Sequence, residues 1–266
     1  MSLLVPLAPD PTAALGRRNP VAKLTAAVVV LLGLVVTSDP LTPALLLAVE
    51  LAVLSLTGVR AATLLRRTWP LLISVSGIAI TNMVVVNGGQ VLLDLRFADV
   101  TSHGVESAGA VWLRLLAITL PGIVVLATTD PMDMADALVQ CWHAPARFAY
   151  GALAALRLLP LLSADWQKIA LARRARGLDA GRSPVAALRL FGSQTFAVLV
   201  ASIRRGVRLA TAMEARGFDS GSERSIARPQ PMRPADWWLI AATVVVVLLV
   251  TAVSVGADTW SPALGG

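Results

Sequence analysis

Residues 237–255 read WWLIAATVVVVLLVTAVSV, nineteen positions without a charged side chain. At about 1.5 Å per helical residue, such a run covers nearly all of a hydrocarbon core of roughly 30 Å. It therefore predicts a transmembrane helix. The run follows Arg228-Pro229-Gln230-Pro231-Met232-Arg233-Pro234, whose three prolines exclude a continuous helix across that approach.

Four more apolar stretches precede it: Val21–Thr37, Leu41–Val59, Trp69-Pro70 to about Val86, and Ser107–Thr128. Asp39-Pro40 and Asn87-Gly88-Gly89 supply breaks between them, and Gly88–Glu106 reads as a polar loop. Hydrophobic residues make up 56% of the chain and charged residues 15%, with a mean hydropathy of +0.72. The composition predicts an all-α polytopic membrane protein with about five transmembrane helices and a cytoplasmic domain of amphipathic helices. Four segments follow: an arm at 1–20, four spans within 21–128, the cytoplasmic part at 129–233, and the last span with an outer tail at 234–266.

Arg17-Arg18 ahead of an apolar run imitates a twin-arginine export signal, but no small-residue cleavage site follows Val36, so the first span is expected to be retained. With the N-terminus inside, Arg17, Arg18, Lys23, Arg60, Arg66, Arg67 and the basic stretch Thr129–Arg233 all fall on the cytoplasmic side. The C-terminus is then outside. If Ala146–Leu162 and Pro184–Ile203 also crossed, Lys168, Arg173, Arg174, Arg176 and Arg182 would lie outside, and Arg157 and Arg189 would sit at mid-membrane. Each such arginine costs about 2.5–3.5 kcal/mol on the insertion scale. Helices lying along the cytoplasmic membrane face avoid that cost. Gly192, Phe196, Leu199, Ile203, Val207, Ala210 and Met213 form one helical stripe, with Arg204, Arg205 and Arg208 largely off it.

The net charge of +7 does not read as a nucleic-acid surface, because the basic residues cluster beside apolar runs. A single cysteine, Cys141, excludes an intrachain disulfide, and with only His103 and His143 beside it no zinc or haem set is present. The sequence holds no phosphate-cradling G-x-x-x-x-G-K-[ST] loop and no hydrolase triad, so no catalytic residue and no metal ligand is assigned. Glu50, within the second span, and Arg114, two turns into the fourth, form with Asn82 a candidate intramembrane polar seam. The alternatives are a structural Glu50/Arg114 pair or snorkelling, with Thr81 and Asn82 making inter-helix hydrogen bonds. Thr128-Thr129-Asp130-Pro131 is a helix-start signature.

The basic region also repeats itself. Leu171–Gly181 (LARRARGLDAG) and Thr211–Gly221 (TAMEARGFDSG) agree at Ala172/Ala212, Ala175/Ala215, Arg176/Arg216, Gly177/Gly217, Asp179/Asp219 and Gly181/Gly221. Each copy ends a helix-favouring run in Ala-Arg-Gly, which suits helix termination. A shared Asp and a second shared Gly suggest that something outside the chain reads both ends alike.

Together with Arg18-Asn19-Pro20 and Lys23, Gly104 and Arg114, and Arg157-Leu158-Leu159-Pro160, these elements resemble the EcfT/CbiQ-like transmembrane T component of energy-coupling factor (ECF) transporters. Those are ABC-type importers for vitamins and transition-metal ions in the plasma membrane of prokaryotes. Leu158 and Leu159 stand where aromatic and β-branched residues are common in that family. The resemblance implies that Ala175-Arg176-Gly177 and Ala215-Arg216-Gly217 end coupling helices docking on two cytoplasmic ATPase subunits, identical or homologous. It implies a separate substrate-binding membrane S component, no cofactor on this chain, and ATP with Mg used by the ATPases. The alternative is a conventional ABC importer permease with a Glu-Ala coupling loop, echoed by Glu214-Ala215 and Gly217, but Ser222-Glu223-Arg224-Ser225 replaces the expected apolar-proline ending.

Overall fold

A computed structural model describes residues 15–56, 61–86, 88–95, 98–178, 181, 183–218, 226 and 228–260, with backbone alone at 55–56, 61–68, 92–95 and 98–99. The N-terminal arm up to residue 14, Arg60, Asn87, Arg96, Asp179, Arg182, Asp219, Gly221 and Ser222-Glu223-Arg224-Ser225 lie outside the described residues. The helices are α1 (Pro20–Val36), α2 (Leu41–Leu56), α3 (Ala61–Val85), α4 (Ser102–Thr128), α5 (Pro131–Cys141), α6 (Ala146–Ala175), α7 (Pro184–Ala215) and α8 (Pro234–Gly256). The chain is an all-α polytopic membrane protein carrying one small hairpin. Among the described residues, α4, α6, α7 and α8 are long and apolar enough to cross a membrane, while α1, Leu41–Leu54 and Trp69–Val85 are shorter apolar helices.

The chain divides into two compact units, Ala144–Pro229 and the remainder. In the latter, α1, α2, α4 and α8 enclose a core of Val30, Leu34, Leu46, Ala117, Val247 and Val250. Burial of such side chains contributes about 1.5–3 kcal/mol each in water. Within lipid that drive is absent, so close packing and hydrogen bonds do the work. Helix α3 packs against α4. A Cβ at Gly104 would collide with the Met83 carbonyl and stand 2.9 Å from that of Val86, so only glycine permits this approach. Ser107 donates to Asn82 Oδ1 at 2.7 Å across the same interface, and Trp112 Nε1 to Ser76 at 3.3 Å.

Polar residues tie the helix ends. Asn19 caps α1, its side chain accepting from the Val21 N–H at 2.8 Å, and Pro20 occupies the first helical position. The Asn19 N–H donates to Asp236 at 3.1 Å and its amide to the Gln230 carbonyl at 3.0 Å. The Gln230 N–H reaches Gln140 at 2.8 Å. Lys23 Nζ donates to the Thr128 carbonyl at 2.9 Å, so the start of α1 is fastened to the end of α4. At the opposite end of α1, Asp39 accepts from the Thr42 N–H at 2.7 Å, the Thr42 hydroxyl at 2.8 Å and the Ser254 hydroxyl at 2.7 Å, joining the α1–α2 turn to α8. Burial raises the Asp39 pKa, but these donors outweigh it and hold the carboxyl below its ordinary range.

Three expectations need correction. The segment after Gly88 is not simply a loop: β1 (Val91–Leu95) and β2 (Ala98–Thr101) pair antiparallel, with Asp94 opposite Asp99 and an irregularity between Val91 and Leu93. Its charged residues hid a short run of strand formers. Helix α3 runs through Pro70 from Ala61 rather than starting at Trp69, since one proline removes a single ladder bond that a packed membrane helix tolerates. Helix α4 starts at Ser102, five residues before the expected Ser107, because Thr101 accepts from the Gly104 N–H at 3.1 Å.

Gly104→Ala is expected to destabilise the protein by about 1–3 kcal/mol, the usual cost of overpacking, read as a lower melting temperature in detergent. Gly109→Ala, where an added Cβ meets nothing within 4 Å, is expected to be neutral or mildly stabilising; equal effects would refute the close approach. Because Asp39 is depressed in the fold, its contribution is complete above the ordinary carboxylate pKa and fades as pH falls through the lower folded value. Asp39→Asn should therefore lower stability at neutral pH and flatten the acid limb of the melting profile.

Candidate functional site

The repeated sequence lies in the unit Ala144–Pro229, which is built from α6 and α7. Helix α6 continues through Pro160 for 30 residues. Ser183 caps α7, accepting from the Ala186 N–H at 3.3 Å with Pro184 at the first position, and α7 is unbroken for 32 residues.

The two helices run antiparallel. Tyr150 stacks edge-on against Phe218, Asp165 pairs with Arg205 at 2.9 Å, and Trp166 meets Phe191 edge-on at 5.3 Å between ring centres. The Gln194 amide donates to the Trp166 carbonyl at 2.8 Å. Further along α6, Arg173 donates to the Leu190 carbonyl at 3.2 Å, the Ser193 hydroxyl at 2.6 Å and the Ser193 carbonyl at 3.2 Å. A planar guanidinium with several donors suits such a triple clamp better than a lysine. Partners on α7 fall in number as those on α6 rise. The Ala175-Arg176-Gly177 end of α6 therefore lies by the first turns of α7, while Ala215-Arg216-Gly217 lies at α7's far end. From Leu190 and Ser193 to Arg216 is about 35–40 Å along α7 at 1.5 Å per residue.

The two ends share one backbone geometry. Arg176 has φ −92° and ψ 7°, and Arg216 has φ −89° and ψ 9°. Gly177 and Gly217 follow at φ +74° and +75°, a left-handed conformation that disfavours any side chain. The Gly177 N–H donates to the Arg174 carbonyl and that of Leu178 to Arg173, at 2.9 and 3.0 Å. The Gly217 N–H donates to Glu214 and that of Phe218 to Met213, again at 2.9 and 3.0 Å. This is the paired termination of a Schellman motif, formed twice. Both arginines are exposed, as are Ala175 and Ala215. Each end thus presents a cation on a rigid, self-satisfied turn. Gly181 is also left-handed, at φ +54°.

On α7, Phe196, Leu199, Ile203 and Val207 of the expected stripe are all exposed, because contacts with α6 run through Phe191, Gln194 and Arg205 instead. Arg157 and Arg189 are exposed as well.

The three seam candidates belong to the other unit and share no hydrogen bond. Asn82 is taken by Ser107. Arg114 donates to the Thr37 carbonyl at the end of α1, so the Glu50/Arg114 pair is not formed. A guanidinium there satisfies an orphan helix carbonyl and complements the helix dipole. Both carboxyl oxygens of Glu50 are buried and without a hydrogen-bond partner. Thr81 donates within its own helix, to the Gly77 carbonyl at 3.0 Å, rather than across helices. As expected, Asp130 caps α5, accepting from the Met132 N–H at 2.7 Å with Pro131 at the first position. Sequence reasoning missed the Arg173 clamp and the Asp236 and Gln230 contacts. Asp236, third residue of α8 after Arg233, carried a capping signal that could have revealed it.

Among known proteins, the family model CbiQ, described as a cobalt transport protein, matches residues 12–227. The chain belongs to the CbiQ family. The matched range takes in both helix ends. Similar proteins are the energy-coupling factor transporter transmembrane proteins EcfT of Limosilactobacillus fermentum, 31% identical over 79% of this chain and 82% of its own length, and of Bacillus selenitireducens, 29% identical over 91% of both. EcfT 1 of Listeria monocytogenes is 29% identical over 78% of this chain and 80% of its own. This CbiQ-family chain is therefore a multi-pass membrane protein of the energy-coupling factor transporter type.

Arg173→Ala is expected to loosen the α6–α7 pair, read as faster amide exchange across residues 190–194. Arg174→Ala, on an exposed neighbour, should leave that exchange unchanged; identical exchange in both variants would refute the clamp.

Proposed function

We propose that the chain is the energy-coupling T component of an ECF transporter, linking ATP hydrolysis by two cytoplasmic ATPase subunits to reorientation of a substrate-binding membrane subunit during vitamin or metal-ion uptake. The observation that carries this reading is the pair of matched, arginine-bearing helix ends at opposite ends of one antiparallel helix pair. Two like ends about 35–40 Å apart by helix rise cannot enter one groove. They suit two like grooves, one on each half of an ATPase pair. The subunit itself is then non-catalytic, and ATP with Mg acts on the partners.

The N-terminus is cytoplasmic in this reading and the C-terminus outside. Helices α6 and α7 are long enough to cross a bilayer, but length alone does not separate spanning from interfacial helices. Their exposed Arg157 and Arg189 and the positive-inside bias favour the cytoplasmic membrane face. The uncovered stripe Phe196, Leu199, Ile203 and Val207 then offers an apolar surface to the substrate-binding subunit and the lipid. The repeated Schellman ends favour this role over a conventional permease, which needs only one coupling loop.

Arg176→Glu and Arg216→Glu are each expected to weaken association with the ATPases at least tenfold, consistent with an anchor worth about 2 kcal/mol, and to reduce uptake, while membrane insertion stays intact. Arg→Lys at either position should be intermediate, since the charge stays but the fork is lost. Pull-down of the ATPases at wild-type levels by the double Glu variant would overturn the coupling assignment.

A further inference from the structure

Helices α1, α2, α4 and α8, with Leu15 ahead of α1, line a half-open cavity of about 220 Å³. Its walls are almost wholly apolar, with Val30, Leu46, Val49, Val246 and Val247 prominent among them. Among its described lining residues, three carry polar side chains: Lys23, Glu50 and Thr243. Lys23 spends its ammonium on the Thr128 carbonyl and hydroxyl, at 2.9 and 3.3 Å. Thr243 donates to the Leu239 carbonyl of its own helix at 2.9 Å. Glu50 is left with two buried oxygens and no donor to either.

A carboxyl group among apolar side chains stays neutral by itself and ionises at low cost only when a cation or several donors meet it. The cavity therefore presents the two Glu50 oxygens among aliphatic side chains, with no donor placed on either among the described residues. Its complement is a cationic donor on an aliphatic body. A cavity of about 150 Å³ already holds a small hydrocarbon ring, so a six-carbon chain with a charged head fits here.

We infer that this cavity is a binding site for an alkylammonium group, the head on Glu50 and the chain among Val30, Leu46 and Val247. The ligand comes either from an aminophospholipid or from a free amphiphilic amine, both of which carry the same head. The site is independent of the helix ends of the other unit and stands whether or not those ends dock on ATPases.

The test uses the full chain purified in a neutral detergent, with n-hexylamine as probe and 1-hexanol and hexanoate as controls. Binding is followed by calorimetry and by thermal shift. Saturable binding of hexylamine is expected, at least tenfold tighter than of hexanol and with none of hexanoate. Glu50→Gln should reduce hexylamine affinity at least tenfold and leave hexanol unchanged. Ala26→Phe, which fills the cavity while keeping Glu50, should abolish both and covers the case in which the Glu50 variant fails to fold. No saturable hexylamine binding by the folded wild type, equal affinity for hexanol, or full affinity in Glu50→Gln would each overturn the site. Native mass spectrometry of membrane-extracted protein separates the sources. A retained aminophospholipid that Glu50→Gln loses identifies the lipid, and a retained small amine identifies the free ligand.

Discussion

Arg114 donates its guanidinium to the carbonyl of Thr37, the last residue about which α1 turns, and much of the spanning unit is arranged around that kind of bond. A bilayer core offers no water to satisfy helix ends, so each terminus near it must find a partner inside the protein. Helix α1 shows this at both ends. Asn19 and Asp236 close its start, Arg114 its finish, and Asp39 with Ser254 ties the turn beyond to α8. These bonds fix which helices neighbour α1, and the small core of Leu34, Leu46, Ala117 and Val247 fills what remains. Side-chain volume alone would not select this arrangement, because lipid tails solvate a valine as well as a neighbouring helix does.

The parts of the fold legible in the sequence were those governed by local chemistry. Nineteen uncharged, mostly apolar residues predict α8 without reference to any other segment, and Asp130-Pro131 marks the start of α5 because a cap is made by adjacent residues. The Ala-Arg-Gly ends belong to the same class. A glycine that must take φ of +74° or +75° can be located from its flanking helix formers. What was not legible depended on contacts over long separations. Arg114 could equally have snorkelled or met Glu50; its choice of Thr37 follows from the way α1 and α4 pack. Thr81 and Asn82 are sequence neighbours with similar polarity, yet one bonds within α3 and the other across to α4, because successive helical residues face different directions. Pro70 looked like a boundary because proline is a breaker in isolation, and tertiary packing carries the helix through it.

The Arg173 clamp illustrates the same limit within the other unit. In the repeat it aligns with Met213, so the two copies differ at the very residue that joins α6 to α7. The copies share their backbone geometry at the turn itself, where Arg176 and Gly177 agree with Arg216 and Gly217 within a few degrees. Flanking residues are instead fitted to their own neighbours, Arg173 to Leu190 and Ser193 and Phe218 to Tyr150. A duplicated terminus on two differently packed helices suggests that the shared feature answers to something both ends meet, since internal packing imposes no such symmetry.

In the proposed transporter, docking at two such points has consequences that a single point would lack. Once one end is held, the other is confined near its own groove, so the second contact forms at an effective concentration set by the helix pair. That gain depends on stiffness. A loose linker of the same length would hold the second arginine over a wide volume, whereas α7 keeps about 35–40 Å between the ends by its own hydrogen-bonded rise. The clamp of Arg173, the Trp166–Phe191 contact and the Asp165–Arg205 pair restrict bending of α6 against α7. A change in the spacing of two grooves would then act on the helix pair as a whole instead of being absorbed in a flexible segment. In the proposed transporter, that stiffness is what allows movement of the ATPases to become movement of the pair.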